Sequence, residues 1–441
     1  MKADNLGADM EGVCRFNGMA VFVPGMLPGE EAPVRIVKAQ KNYAFGRMEQ
    51  LPSSLSPDRV EPDCPAYPRC GGCTCRHISY EASLEARRRH VEDCFARIGK
   101  ISLEVPPLLK MDSPRNYRNK TALPIGGTAE NPVLGFYAPR SHQIIPASDC
   151  PNAASPSGEI ARAVTGWIRQ FHVSPWREDT GKGLLRHLVI RVNRAGESMV
   201  TLVSAGETLP HWPELLAVLR PLNVVSLYLN VHPEPSNVIF SNRFQLLYGT
   251  ATLTDTLCGL SFELSQDSFF QVNPTQTEKL YETALNFAGL SAGDTLCDVY
   301  CGAGTITLMM ARHCRQAFGI EVVPAAVENA RENAKRNSVP NASFHAGTAE
   351  TLLPRFINDG LRPDVIVVDP PRKGLDPSVI SSILHAAPSR IVYISCNPAT
   401  LSRDAALFLN GGYNIQKIQP VDMFPYTSHV ETVCLFGVAE V

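Results

Sequence analysis

Apolar and polar positions alternate with three different rhythms along this chain. Over residues 1 to 58 the apolar residues fall in short β-prone runs, Val21-Phe22-Val23, Val34-Arg35-Ile36-Val37 and Tyr43-Ala44-Phe45, separated by Pro24-Gly25, Leu27-Pro28-Gly29 and polar turns. Short strands in so small a module predict an OB-like β-barrel, a fold often used to hold single-stranded nucleic acid. Residues 59 to 264 mix a helix predicted from Tyr80 to Gly99 and another over Gly158–Phe171 with β-rich runs such as Leu188–Val192 and Val224–Leu229. That mixture predicts an α+β central domain. From residue 265 to 441 strands and helices alternate regularly, with strands predicted at Thr295–Tyr300, Gln316–Ile320, Ala342–His345, Val365–Val368, Ile391–Ser395 and Ile415–Val421. Alternation of this kind predicts an α/β domain, a mainly parallel sheet covered on both faces, with ligands at the strands' C-terminal ends.

Chemistry-bearing residues collect at those ends. Asp298-Val299-Tyr300-Cys301-Gly302-Ala303-Gly304 is a glycine-containing turn after a strand, where the backbone can approach a ligand closely. Glu321 ends the next strand, placed to accept hydrogen bonds from a ribose diol. Asp369 stands before Pro370 and Pro371, which cannot continue a strand and so stiffen its tip. The turn lacks a third glycine, which favours S-adenosylmethionine over NAD. Cys396 follows the run Ile391–Ser395, just before a helix expected near Ala399. A helix N-terminus is expected to lower the thiol's pKa and enrich the thiolate. Together with Glu431 as a base, such a thiol suits transient addition to C6 of a pyrimidine, which activates C5 toward a methyl donor. Buried structural thiol and solvated strand-end carboxylate are the ordinary alternatives.

Composition adds a second site and bounds the rest. The chain has 441 residues, 44% hydrophobic and 19% charged, so two or three globular domains are expected. No apolar run approaches the roughly 18 residues of a membrane span, and the first residues show no apolar leader pattern. With 13 cysteines, this points to a reducing cytoplasm. Cys64, Cys70 and Cys73, with Cys150 far downstream, have spacings compatible with tetrahedral zinc or an iron–sulfur cluster. Net charge is only −2, yet basic residues cluster at Arg87-Arg88-Arg89, at Lys110–Lys120 and at Lys182–Arg194. A phosphate track is the expectation from these clusters, Arg186 and Arg191 included.

These motifs resemble the RNA uracil-5 methyltransferases over nearly the whole chain: Ser268-Phe269-Phe270-Gln271-Val272-Asn273, Asp298–Thr305, Glu321, Asp369–Gly374, Ser395-Cys396-Asn397-Pro398 and Glu431-Thr432-Val433. The resemblance implies a Rossmann-like S-adenosylmethionine methyltransferase domain, Cys396 as nucleophile and Glu431 as base. It implies that Gln271, Tyr300, Glu321 and Asp369 hold S-adenosylmethionine. Residues 1 to 58 resemble the TRAM module, and with the cysteine quartet this is similar to the 23S rRNA branch, which carries a 4Fe–4S cluster on Cys64, Cys70, Cys73 and Cys150. Thr305 and Thr348 depart from one branch of the family. The expected activity is 5-methyluridine formation in 23S rRNA by a cytoplasmic monomer with no obligate protein partner. The same reaction on tRNA, and more distantly a non-catalytic ribosome-assembly factor, are the alternatives.

Overall fold

The computed structural model describes residues 1–439, and the chain forms two compact units. One comprises Met1–Asp63, Thr74–Met111 and Gln276–Val441; the other comprises Cys64–Cys73 and Asp112–Thr275. The units therefore do not follow the linear order of the three expected segments.

In the first unit, a five-stranded N-terminal sheet runs in the order Ala3–Leu6, Gly12–Phe16, Met19–Val23, Tyr43–Met48, Val34–Ala39. Its alternate residues Cys14, Val21, Val23 and Ala44 turn inward onto Met26. The strands Ala3–Leu6 and Gly12–Phe16 lie outside the expected β-prone runs; neither carries a run of apolar residues longer than two. The larger sheet has seven strands in the order Ala342–Ala346, Gln316–Glu321, Thr295–Val299, Val365–Val368, Arg390–Ser395, Glu431–Val438, Tyr413–Val421. The first five run parallel, as expected from buried runs such as Val365-Ile366-Val367-Val368. Glu431–Val438 inserts antiparallel between Arg390–Ser395 and Tyr413–Val421, with Ser395 opposite Thr432 and Val421 opposite Glu431.

The helix Tyr80–Cys94 belongs to this core rather than to the central region of the sequence. Leu84, Val91 and Phe95 are buried with Val299, Val368, Ile391 and Phe436. Ser79 caps its start by accepting from the Ala82 N–H at 3.3 Å. Full burial of one large apolar side chain such as Phe95 contributes about 1.5–3 kcal/mol.

The second unit is built on a seven-stranded sheet in the order Phe244–Gly249, Val224–Val231, Ser198–Ser204, Leu185–Val192, Lys120–Gly127, Pro132–Tyr137, Ile144–Pro146. One face packs Leu188, Ile190, Val192 and Leu202 against the helices Ser157–Gln170 and Trp212–Leu219 through Ile160, Val164, Trp167 and Leu215. A hairpin, Leu253–Leu257 with Leu260–Leu264, follows. Among the described residues, no helix is long and apolar enough to cross a membrane.

Candidate active site and cysteine quartet

The C-terminal edge of the first unit's large sheet gathers five of the anticipated residues. Tyr300 follows the strand Thr295–Val299 with φ of 73°, and Gly302 and Gly304 also have positive φ. A left-handed tyrosine is costly unless its surroundings hold it. Here the Tyr300 and Cys301 N–H groups donate to the Ile320 carbonyl at 2.9 and 3.0 Å. A Cβ on Gly304 would lie 2.9 Å from the Phe344 ring, so glycine is required both for conformation and for space. Glu321 accepts from Gly302 N at 3.1 Å and Val323 N at 2.9 Å, which leaves one lone pair on each carboxylate oxygen.

Asp298 is fully buried and takes a 2.5 Å hydrogen bond from Thr307 Oγ1, while its Oδ1 has no partner. Burial, with Glu321 nearby, pushes its pKa up to about 7. Burial, with the Asp298 charge added, also pushes Asp369 up to about 7. An orphaned Asp298 carboxylate oxygen and the open space over Gly302 fit a polar, cationic small molecule at this edge.

Cys396, Glu431, Asp369 and Arg372 make up the second half of the candidate site. Because Glu431–Val438 runs antiparallel, its first residue lies at the same edge as the ends of the parallel strands. Glu431 is thus the start of a strand, where the sequence pattern alone predicts none. Its side chain is buried, and desolvation with Asp369 raises it to about 8, against the opposing influence of Arg372. Cys396 is half-buried, and its thiol is pushed up to about 11 by burial, then by Glu431 and Asp369, with Arg372 opposing. The expected lowering by the helix N-terminus is not what the site shows. Asn397 Oδ1 already accepts the Ala399 N–H at 3.1 Å, and Pro398 has no N–H to offer, so little positive character is left for the thiol. Arg372 is the functional candidate that sequence reasoning passed over. It stands in the Asp369–Gly374 segment, but only its charge acting on both Cys396 and Glu431 distinguishes it from a solvated arginine.

A buried clamp holds the chain that enters Glu431. Arg87 Nη1 donates to Asp422 Oδ1 at 2.5 Å and to the His429 carbonyl at 3.2 Å. Tyr80 Oη donates to Asp422 Oδ2 at 2.5 Å, and Gln276 Nε2 donates to the Asp422 carbonyl at 3.1 Å. Arg87 and Asp422 are fully buried. Asp422 adjoins Val421, the strand partner of Glu431, so the clamp grips Glu431 from both sides.

Arg87 therefore serves the interior, and the neighbouring arginines pair with acids: Arg88 with Glu85 and Glu92, Arg89 with Glu85. In the second unit Arg186 and Arg191 are also buried, 5% and 2% exposed. Arg186 donates to the His232 and Glu234 carbonyls, and Arg191 to the Ser268 carbonyl. The expected phosphate track is corrected at these positions, where both guanidinium groups are buried and donate to protein carbonyls, Arg191 through Nη2 alone.

Gln271 lies in the second unit, where Asn119 Nδ2 donates to its carbonyl at 3.1 Å. The same unit holds Cys64, Cys70, Cys73 and Cys150, each half-buried. Burial raises the Cys70 thiol, and Cys73, Cys150 and Cys64 raise it further. Cys150 is raised in the same way, by burial and by Cys73 and Cys64. Four thiols in mutual electrostatic reach are a suitable donor set for zinc or an iron–sulfur cluster. As the side chains stand, however, no three His, Cys, Asp or Glu among the described residues converge to hold a metal ion.

Comparison with known proteins agrees with this geometry. Residues 248–438 match the tRNA (uracil-5-)-methyltransferase family, and residues 4–48 match the TRAM domain. RNA methyltransferases of Halalkalibacterium halodurans and Listeria innocua are each 42% identical, over 98% of this chain and 95% of theirs. The crystal structure of Pyrococcus abyssi tRNA (uracil-54, C5)-methyltransferase in complex with S-adenosyl-L-homocysteine superposes with a TM-score of 0.79 at 27% identity, covering 99% of both chains. The strand-edge site, the N-terminal TRAM strands and the full-length relatives place this chain in the RNA (uracil-5-)-methyltransferase family.

Proposed function

We propose that this enzyme methylates C5 of a uridine in 23S rRNA, using S-adenosylmethionine and a transient bond between Cys396 Sγ and C6 of the base. The observation that carries the reading is the meeting of Cys396, Glu431, Asp369 and Arg372 at one sheet edge, where Glu431 and Asp369 raise the thiol and Arg372 opposes them.

S-adenosylmethionine supplies an electrophilic methyl group. Asp298, Tyr300, Glu321 and Asp369 offer it polar groups at the strand ends, and the family resemblance assigns Gln271 to the same cofactor. Uracil C5 is a weak nucleophile. Addition of the Cys396 thiolate to C6 places electron density on C5 and O4, and C5 would then take the methyl group as the donor's sulfonium–methyl bond breaks, its electron pair staying on sulfur and S-adenosylhomocysteine leaving. Glu431 takes the C5 proton, the C5–C6 double bond re-forms, and the Cys396 sulfur leaves with its electron pair. A carboxylate raised to about 8 accepts such a proton more readily than an ordinary one. The positive charge of Arg372 favours both the thiolate and the ionised Glu431. The target base must leave its stack to reach Cys396.

We further assign the Cys64, Cys70, Cys73 and Cys150 quartet to a 4Fe–4S cluster in preference to zinc, with a structural or RNA-facing role, since methyl transfer needs no electrons. The 13 free cysteines support a reducing cytoplasmic setting. The TRAM match together with this quartet favours rRNA. The tRNA substrate named for the Pyrococcus abyssi enzyme supports a second reading on tRNA. Incubation with labelled methyl donor and either 23S rRNA fragments or tRNA separates them. Incorporation at uracil C5 of rRNA is expected, and incorporation in tRNA alone would move the enzyme to the second reading.

A further inference from the structure

Two adjoining depressions in the second unit share Tyr137 and His142. The shallower, about 580 Å³, runs over Gly71 and Gly72, between two cysteines of the quartet. The deeper, about 150 Å³, is walled by Tyr137, His142, Trp176, Glu178, Arg186 and His187 over an aliphatic floor. The mouth is tied by His142 Nδ1 and Glu178 Oε2 at 2.8 Å, and the Tyr137 and His142 rings lie 5.4 Å apart. Arg186 sits 5.5 Å from the Trp176 ring centre, fixed by its bonds to the His232 and Glu234 carbonyls at 2.7 and 2.6 Å. His187 Nδ1 is buried without a hydrogen-bond partner, and burial keeps the ring neutral.

This lining discriminates among ligands. The one cation in the wall is already engaged by carbonyls, and Glu178 stands at the mouth, so a phosphate is poorly served. The polar upper wall does not suit a lipid chain. A flat, neutral ring with hydrogen-bonding edges meets both features, aromatic faces on one side and an unpaired imidazole nitrogen on the other. We propose that this cleft receives the base of one unpaired nucleotide of the RNA substrate, stacked against Trp176 and hydrogen-bonded to His187. A duplex cannot enter so small a concavity, so the site reads single-stranded RNA. The proposal rests on the RNA-methyltransferase reading for the identity of the polymer.

The test pairs protein variants with RNA lacking single bases, in the full-length enzyme. Trp176→Leu and His187→Ala should each raise KM for an rRNA loop fragment about tenfold or more, leaving kcat and cofactor affinity within about twofold. One abasic substitution in the loop should cost the wild type as much, and cost Trp176→Leu nothing further. Penalties that simply multiply, or an unchanged KM, would overturn the proposal. If either variant fails to fold, the wild-type tryptophan fluorescence decides: quenching by the intact fragment but not by the abasic one is expected, and equal quenching refutes it. Absence of methyl transfer to any RNA by the wild type would instead defeat the parent reading.

Discussion

The protein presents thiols in two contrasting settings. Cys396 is a single thiol beside carboxylates, raised to about 11, on a rigid strand end with its helix already capped. The quartet of the second unit has four thiols influencing one another, on loops around Gly71 and Gly72. A nucleophile that must both add and leave benefits from a thiol that is not a permanent anion, with a base at hand. Metal ligands need the opposite, several thiols that give up their protons together. The contrast teaches that neighbours, more than the cysteine itself, decide what a thiol is for.

Substitution should separate the two settings cleanly. Cys396→Ala is expected to remove methyl transfer by about 10⁴-fold or more, while visible absorbance of anaerobically purified protein stays unchanged. Loss of both, or of neither, would erase the distinction. Cys70→Ser should abolish that absorbance and lower activity by about tenfold, and a colourless, zinc-replete wild type would refute the cluster. Below the thiol's value of about 11, adduct formation should speed up about tenfold per pH unit between pH 7 and 9. A flat profile in rapid-quench measurements would mean a thiol already ionised. Tyr80→Phe removes one hydrogen bond from the clamp behind Glu431 and should slow adduct resolution about threefold to tenfold, with adduct formation unchanged. The smallest effect is on stability. Asp298 keeps a proton in the folded protein that the unfolded chain releases between about pH 4 and 7. Its contribution is therefore present below about pH 4 and lost as pH rises through about 7. Asp298→Asn should raise the apoprotein Tm by about 2–4 °C at pH 8 and leave it unchanged at pH 4.

Much of the catalytic half was readable because its strands are continuous apolar runs closed by glycine, proline or acid. Val365–Val368 followed by Asp369 is legible for that reason, as is Thr295–Val299 before Tyr300. Long-range pairing was not legible. Nothing local shows that Glu431 begins a strand inserted antiparallel beside Arg390–Ser395, although that insertion brings it to Cys396. Nor does Arg87-Arg88-Arg89 reveal that its first member is buried against Asp422, 335 residues away. The thiol's raised pKa has the same origin: Glu431 and Asp369 arrive from distant strands, and the nearby helix end that promised the reverse is satisfied by Asn397.

The most direct test of the account is denaturing electrophoresis of Glu431→Gln after incubation with labelled 23S rRNA fragment and S-adenosylmethionine. A slowly migrating protein–RNA band is expected, lost when Cys396→Ala is added, because the adduct forms and methylates but cannot release its C5 proton. No retarded band, together with methylation by Cys396→Ala alone, would contradict the covalent role assigned to Cys396.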